Sequence, residues 1–379
     1  MAYKINPFHT SIWHSPNTVQ VGLDARSVVL PDISAAAERF IDALYFGVAP
    51  NQVDAIAAQV RLPKQEALAL LNRLKPVLEY EASSSAQRPN PGKPLNLDAA
   101  LADLVAASLQ NSTDGRAVLL ERGRRAVFIE VLNATGLLLM LGLAAAGVGT
   151  FVTRDNEPVR NVDTGPTAFP AAFLGQKRIA AASLMLETTW PSSRLISGLR
   201  IKESKFNNID VAVINTSLVP QLERIGVWNS RQVPQLEIRF VAGGFEVSPV
   251  IVPGTTPCLI CRELWRSENS SEYAAISAQL AGLELRFDHT ANRLLAAGLA
   301  IQSILARLDS AGGFDQRDQT PPDGYLLRDA GASGGSESAS LENQRWEFHA
   351  GCCCSSFTNL EATPDQEIIS DFLARVTPT

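Results

Sequence analysis

The chain has 379 residues, 46% of them hydrophobic and 19% charged, with a formal net charge of -6. That length predicts two or three domains with ordinary globular cores. The acidic balance excludes non-specific nucleic-acid binding, which needs a basic footprint, so no nucleic-acid partner is expected. The most apolar run, Leu137 to Val152, is about sixteen residues long and interrupted by Gly147 and Gly149. It is too short and broken to span a bilayer, so no membrane partner is expected either. Met1 to Trp13 is polar and lacks the apolar centre of a secretory signal. With five clustered cysteines, this predicts a cytoplasmic protein whose thiols stay reduced.

Residues 1–82 read as a small α+β domain. Thr18 to Leu23 and Ser27 to Leu30 are strand-like runs joined by Asp24-Ala25-Arg26, the pattern of a hairpin. Three helices are predicted to follow: Ala35 to Tyr45 capped by Ser34, Gln52 to Val60 capped by Asn51, and one starting at Pro63. The last carries an apolar face of Ala67, Leu68, Leu70, Leu71 and Leu74. A hairpin with three helices is a winged-helix outline, yet no basic recognition helix is present. An edge strand beside a helix also makes a slot to which an extended peptide can add as a further strand.

Residues 83–97, largely within the Ser- and Pro-rich stretch Glu81 to Pro94, read as a linker. Residues 98–356 form the second domain. Its first segment, Leu97 to Leu109, has helical amphipathicity. Ala126 to Ile129, Gly149 to Thr153 and Val211 to Asn215 are buried-strand patterns, with helices predicted at Leu137 to Ala146 and Ala180 to Leu186. Strand and helix in alternation imply a Rossmann-like parallel sheet with right-handed crossovers. Leu236 to Phe240 and Phe245 to Val252 read as a hairpin around Gly243-Gly244, and Ala291 to Leu308 as a long helix. Ser333 to Ser340 is a Gly/Ser-rich loop by composition, and residues 357–379 are a C-terminal tail.

In nucleotide-binding sheets of this kind the first strand turns into its helix through Gly-x-Gly-x-x-Gly, whose first two glycines let backbone approach phosphate. The matching positions here are Val131, Asn133 and Gly136, so only the helix-packing glycine remains. Val131 and the Asn133 side chain crowd a phosphate, and Asp155 alone stands where a ribose-binding acid would.

Cys258 and Cys261 lie at Cys-x-x-Cys spacing after the turn Pro253 to Pro257, and the other cysteines are Cys352, Cys353 and Cys354. Pairs of thiols far apart in sequence predict four thiolates on one tetrahedral zinc. Three adjacent side chains cannot all reach one metal, which leaves one spare. A four-thiolate site has no open position for water and is structural. The chain holds no Gly-x-Ser-x-Gly or His-Glu-x-x-His motif, and no catalytic residue is assigned.

Ala146-Gly147-Val148-Gly149, Asp155, Val159, Asp163 and Gly175-Gln176-Lys177-Arg178 together resemble the ThiF and ubiquitin-activating superfamily. Val252 to Cys261, with Leu264 and Arg266, is similar to a narrower group, the ThiF-like partners of YcaO cyclodehydratases in thiazole/oxazole-modified peptide biosynthesis. That group's His-Pro-x-Cys-Gly-Cys ending resembles His349 to Cys354, with Ala350 and Cys353 in place of Pro and Gly. Trp13-His14-Ser15-Pro16 and Val19 to Leu23 fit its N-terminal pattern, so the likeness covers roughly residues 10–356. It implies zinc on Cys258, Cys261, Cys352 and Cys354, with Cys353 spare, and a homodimer formed through the Rossmann domain. It also implies a PqqD-like leader-recognition element at the N-terminus. Its groove would be edged by Ser27, Val28, Val29 and Leu30 on the strand, and by Ala67, Leu70, Leu71 and Arg73 on the helix. Active members hold magnesium with an acid after a later strand, where this chain has Asn215-Thr216. No ATP is therefore expected on this chain. The expectation is a non-catalytic subunit that delivers a ribosomal precursor peptide to a separate YcaO enzyme for azoline formation. Its rivals are an ATP-dependent adenylyltransferase acting on a peptide and a stand-alone peptide-binding module.

Overall fold

The computed structural model describes residues 2–79, 95–200, 208–220, 222–281, 283, 287–311, 324–329 and 339–354. The expected tail and most of the expected linker and Gly/Ser-rich loop lie outside the described residues.

Strands β1 (Ser11–Ser15), β2 (Thr18–Val21) and β3 (Val28–Leu30) form an antiparallel sheet in that order, leaving β3 as an edge. The β2–β3 hairpin is the one expected, whereas β1, half-exposed and without alternation, is not legible in the sequence. Helix α1 (Ala35–Phe46) starts where the Ser34 hydroxyl accepts from the Ala37 N–H at 3.1 Å, as an N-cap does. A 3-10 turn at Pro50–Gln52 precedes α2 (Val53–Gln59), so Asn51 is not its cap. Helix α3 (Lys64–Leu74) follows Pro63. Ile5, Val21, Leu30, Phe40, Leu44, Leu70 and Leu74 pack into a core of this unit's own.

Helices α4 (Leu101–Asn111) and α5 (Gly115–Arg122) come next, and α4 receives the N-terminal unit. Buried Asn6 donates from Nδ2 to Ser108 Oγ at 2.8 Å, and Arg26 Nη1 to Ser112 Oγ at 2.6 Å.

The main sheet is built from β4 (Ala126–Ile129), β5 (Thr150–Thr153), β6 (Arg194–Ser197), β7 (Val211–Ser217), β8 (Gln235–Val241), β9 (Gly244–Val247), β10 (Gly324–Arg328) and β11 (Ser340–Gln344). Their spatial order is β11-β10-β9-β8-β7-β4-β5-β6. The five strands from β8 to β6 pair in parallel, as the alternating pattern implies. The three strands β9, β10 and β11 extend one side in antiparallel fashion, so the sheet is mixed. Helices α6 (Ala134–Ala145), α7 (Arg178–Thr189), α8 (Leu222–Ser230), α9 (Leu259–Asn269), α10 (Tyr273–Leu280) and α11 (Thr290–Ala311) supply the covering layers.

Parallel strands are buried on both faces, and alternate residues therefore enter different cores. Val127, Ile129, Val213, Leu236 and Ile238 pack with α6, α7 and α11. Phe128, Val152, Ala212 and Ile214 face the other way, onto Trp228 of α8 and onto Cys258, Leu259 and Cys261. No helix among the described residues is long and apolar enough to cross a membrane. The helical layer is pinned by a buried ion pair. Arg122 reaches Asp309 from Nε at 2.8 Å and Nη2 at 2.7 Å, while Asn111 Nδ2 donates to the same carboxylate at 3.0 Å. Both charges are nearly inaccessible, at 4% and 1% side-chain exposure. Removing one partner leaves the other charged and unpaired, so Asp309→Ala is expected to lower unfolding free energy by about 3–5 kcal/mol in urea melts.

Candidate metal centre and the closed switch point

Two segments converge on the second core. The first is the turn before α9. Gly254 there takes φ +77°, a left-handed conformation that favours glycine. The Val252 N–H donates to Thr256 Oγ1 at 2.8 Å, and the Thr255 and Thr256 N–H groups both return to the Val252 carbonyl. This knot aims Cys258, the residue before α9, and Cys261, in its first turn, at the same point. The second segment is 349–354. There His349 Nδ1 accepts from the Gly351 N–H at 3.0 Å, its Nε2 lies 2.9 Å from Glu268, and its ring meets Trp265 edge-on at 4.8 Å. Trp265 and Glu268 belong to α9, so His349 fastens the second segment to the helix that carries the first pair.

The Sγ atoms of Cys258, Cys261, Cys352 and Cys354 all lie within 4.8 Å of one another. Individual separations are 3.9 Å (258 to 261), 3.6 Å (258 to 352) and 3.3 Å (261 to 354). Tetrahedral ligation with metal–sulfur bonds of ~2.3 Å places sulfurs roughly 3.8 Å apart, so this donor set fits one metal ion. All five cysteines are free thiols, and Cys353 is exposed and outside the cluster. Crowding splits the protons: S–H donation from Cys258 holds Cys261 far below the usual thiol range, and the same contact pushes Cys258 far above it. A metal ion removes that conflict by replacing the protons.

The same helix covers a buried charge network that the sequence does not advertise. On β8, Leu236, Ile238 and Phe240 face the first core, and the alternate residues Glu237 and Arg239 face α9. Arg239 reaches Glu246 of β9 at 2.5 Å and Glu263 of α9 at 3.5 Å. Arg266 pairs with Glu246 and, at 2.5 Å, with Glu263. Burial pushes Glu237 up to about 6, opposed by Arg239 and by a 2.7 Å bond from Thr216 Oγ1. Glu246 is also buried, but Arg239 and Arg266 pull it down to about 2. The period-two alternation of charge with Leu, Ile and Phe from 235 to 241 was the available clue.

The topological switch point lies between β4 and β7, where the chain, having laid β5 and β6 to one side of β4, crosses to the other. Open α/β sheets bind ligands in the crevice at such a point. Here its polar groups bond to one another. Asn133 caps α6, accepting from the Gly136 N–H at 3.0 Å, and the same oxygen accepts from Asn215 Nδ2 at 3.1 Å. Asp155 accepts from the Leu132 N–H at 2.8 Å and the Glu157 N–H at 2.9 Å, and pairs with Arg178 at 3.2 Å. Arg178 is itself fixed on buried Asp163 at 2.6 Å. Gly136 serves close packing: a Cβ there would sit 2.0 Å from the Val131 carbonyl oxygen.

The residues expected to edge a peptide groove divide between the core and the surface. Ala67, Leu70 and Leu71, together with Leu30, are at most 6% exposed and belong to the N-terminal core. Periodicity shows that they share a face, and that face turns inward. Ser27 and Val28 are half-buried, Val29 is exposed, and Arg73 donates from Nη2 to the Val29 carbonyl at 2.8 Å.

No protein-family model matches the chain, and no curated protein matches it in sequence. Solved structures match it in fold. E. coli MccB with ATP is 12% identical, covering 93% of this chain and 99% of that chain at a TM-score of 0.64. The microcin C7 biosynthetic enzyme MccB in complex with N-formylated MccA is 13% identical, covering 94% and 100% at 0.64. PaaA is 11% identical, covering 90% and 99% at 0.59. At these identities the likeness is one of fold, and it fits the Rossmann-like architecture anticipated from the sequence.

Two outcomes follow. Cys258→Ser is expected to lower bound metal, read by elemental analysis, and the melting temperature together, while Cys353→Ser changes neither. For Glu237, whose folded value of about 6 exceeds the ordinary 4.5, the stability it contributes is full below the lower value. It is lost as pH rises through the higher one. Glu237→Gln should therefore flatten the stability–pH curve across that window and raise stability at pH 7 by about 2 kcal/mol in urea melts.

Proposed function

We propose that this chain is a non-catalytic recognition and scaffolding subunit of ribosomal peptide modification. Its N-terminal unit, residues 1–82, acts as a winged-helix, PqqD-like element that holds the leader of a precursor peptide along the β3 edge. Residues 98–356, braced by zinc on Cys258, Cys261, Cys352 and Cys354 and paired with a second copy, dock a separate YcaO cyclodehydratase in the cytoplasm. Azoline formation on the core peptide is the partner's chemistry. This chain raises the core's local concentration at the partner's active site.

The observation that carries this reading is the self-satisfied switch point. Asn133 and Asn215 bond to each other where a glycine and an acid would serve a nucleotide and its metal, and Asp155 is committed to Leu132 and Arg178. A phosphate entering there would have to break these bonds and pass the Val131 and Asn133 side chains. A zinc-thiolate site without an open position adds rigidity and no chemistry. Backbone capture at a strand edge suits a flexible leader that must later be released.

A second reading, ATP-dependent adenylation of a peptide, is favoured by one finding: E. coli MccB, solved with ATP, shares this fold. Calorimetry separates the two. Purified full-length chain titrated with Mg-ATP is expected to release no binding heat, and peptides encoded beside its gene, mixed with the neighbouring YcaO protein and ATP, are expected to lose one water per ring only when this chain is present. Saturable ATP binding, with pyrophosphate release in the absence of any YcaO protein, would support adenylation instead.

A further inference from the structure

The β3 edge is short, and its bonding capacity can be counted. Antiparallel pairing sets Val21 opposite Val28, Gln20 opposite Val29 and Val19 opposite Leu30. Alternate residues of an edge strand direct both N–H and C=O outward. The Val29 carbonyl accepts from a side chain on α3, so Val29 is an outward residue, and by alternation so are Ser27 and position 31. The Ser27 N–H is already taken by the Asp24 carbonyl in the turn, and Pro31 has no N–H. An incoming strand therefore finds Val29 N–H and C=O at the centre of the ladder, flanked by carbonyls alone. Arg73 occupies the central carbonyl.

A peptide amide pairing with the Val29 carbonyl must share or compete with that guanidinium. An arginine released from a neutral carbonyl is satisfied best by a carboxylate, whose charge-assisted bonds are about twice as strong. Polarity along the groove points the same way. Glu66 lies seven residues before Arg73, on nearly the same azimuth of α3 and roughly 10 Å away. An acid is thus welcome beside Val29 and repelled toward the start of α3.

Resting on the peptide-binding reading above, we propose that Arg73 is a selectivity latch. It closes the β3 edge to peptides in general and opens to an extended peptide carrying an Asp or Glu within about one residue of the amide that pairs with the Val29 carbonyl. The latch discriminates by charge without a preformed pocket: a neutral strand returns the exposed guanidinium to water, whereas an acidic one gives it a charged partner.

The test uses the full chain and a phage-displayed library of random dodecapeptides. Selections are run on wild type, on Arg73→Leu and on Val29→Pro, which removes the outward N–H of an edge residue where proline is tolerated. Wild type is expected to enrich peptides with an acidic residue at one fixed register. Synthetic copies of these peptides should bind about threefold tighter than their Asn or Gln counterparts, the scale of an exposed ion pair. Arg73→Leu is expected to lose both the enrichment and the preference while still binding peptides, and Val29→Pro to bind none. Slowed hydrogen exchange at the Val29 amide of wild type on peptide addition locates the ladder without relying on a variant. Edge-bound peptides with no acidic preference, or with the same preference in Arg73→Leu, overturn the latch alone. Selected peptides that neither protect Val29 nor lose affinity in Val29→Pro overturn the peptide-binding reading and the latch with it.

Discussion

Four sulfurs contributed by two distant segments converge in the second core of the main domain. Helix α9 follows β9 through the 252–258 turn and is succeeded by α10 rather than by a strand. It is anchored by Cys258 and Cys261 at its start and by the His349–Glu268 and His349–Trp265 contacts further along. Phe128, Ala212 and Ile214 owe their cover to that placement. So does the charge network, because Glu263 and Arg266 reach Arg239 and Glu246 only while α9 lies across β8 and β9. A buried network of this kind contributes little net stability if whole and a large penalty if broken, which makes the cysteine clip a condition for tolerating it.

The switch point of the main sheet is internally hydrogen-bonded. The strands and the helix after β4 are retained, and Gly136 still lets α6 approach the turn at Val131. The polar groups that such a crevice would offer a ligand are instead joined in two sets, Asn133 with Asn215 and Asp155 with Leu132 and Arg178. The edge strand β3 of the small sheet in front has backbone groups that lack a strand partner. Asn6 and Arg26 hold that sheet against α4.

Much of this was legible in the sequence where physics is local. The run Ala126 to Ile129, apolar and bounded by charge, reads as a strand because nothing else suits it, and Ser34 announces a helix because its hydroxyl can cap one. Cysteine spacing pointed to the four-thiol cluster because thiolate chemistry is short-ranged and few arrangements satisfy it. What stayed hidden depends on distant neighbours. Arg194–Ser197 and Ser340–Gln344 become strands only because a sheet edge is there to receive them, and their half-exposed or exposed residues carry no alternation. Glu237 and Arg239 look like surface charges until α9 covers them. Leu70 and Leu71 were correctly placed on one helical face, but periodicity does not say whether that face meets a ligand or the core.

The account rests on a metal-braced platform, and X-ray absorption at the zinc edge of the full chain, purified without added metal, examines it most directly. The predicted spectrum is a single shell of four sulfur scatterers at ~2.3 Å, with no light-atom contribution. A shell containing nitrogen or oxygen would mean a different ligand set, and a metal-free protein with an unchanged melting temperature would contradict the account outright.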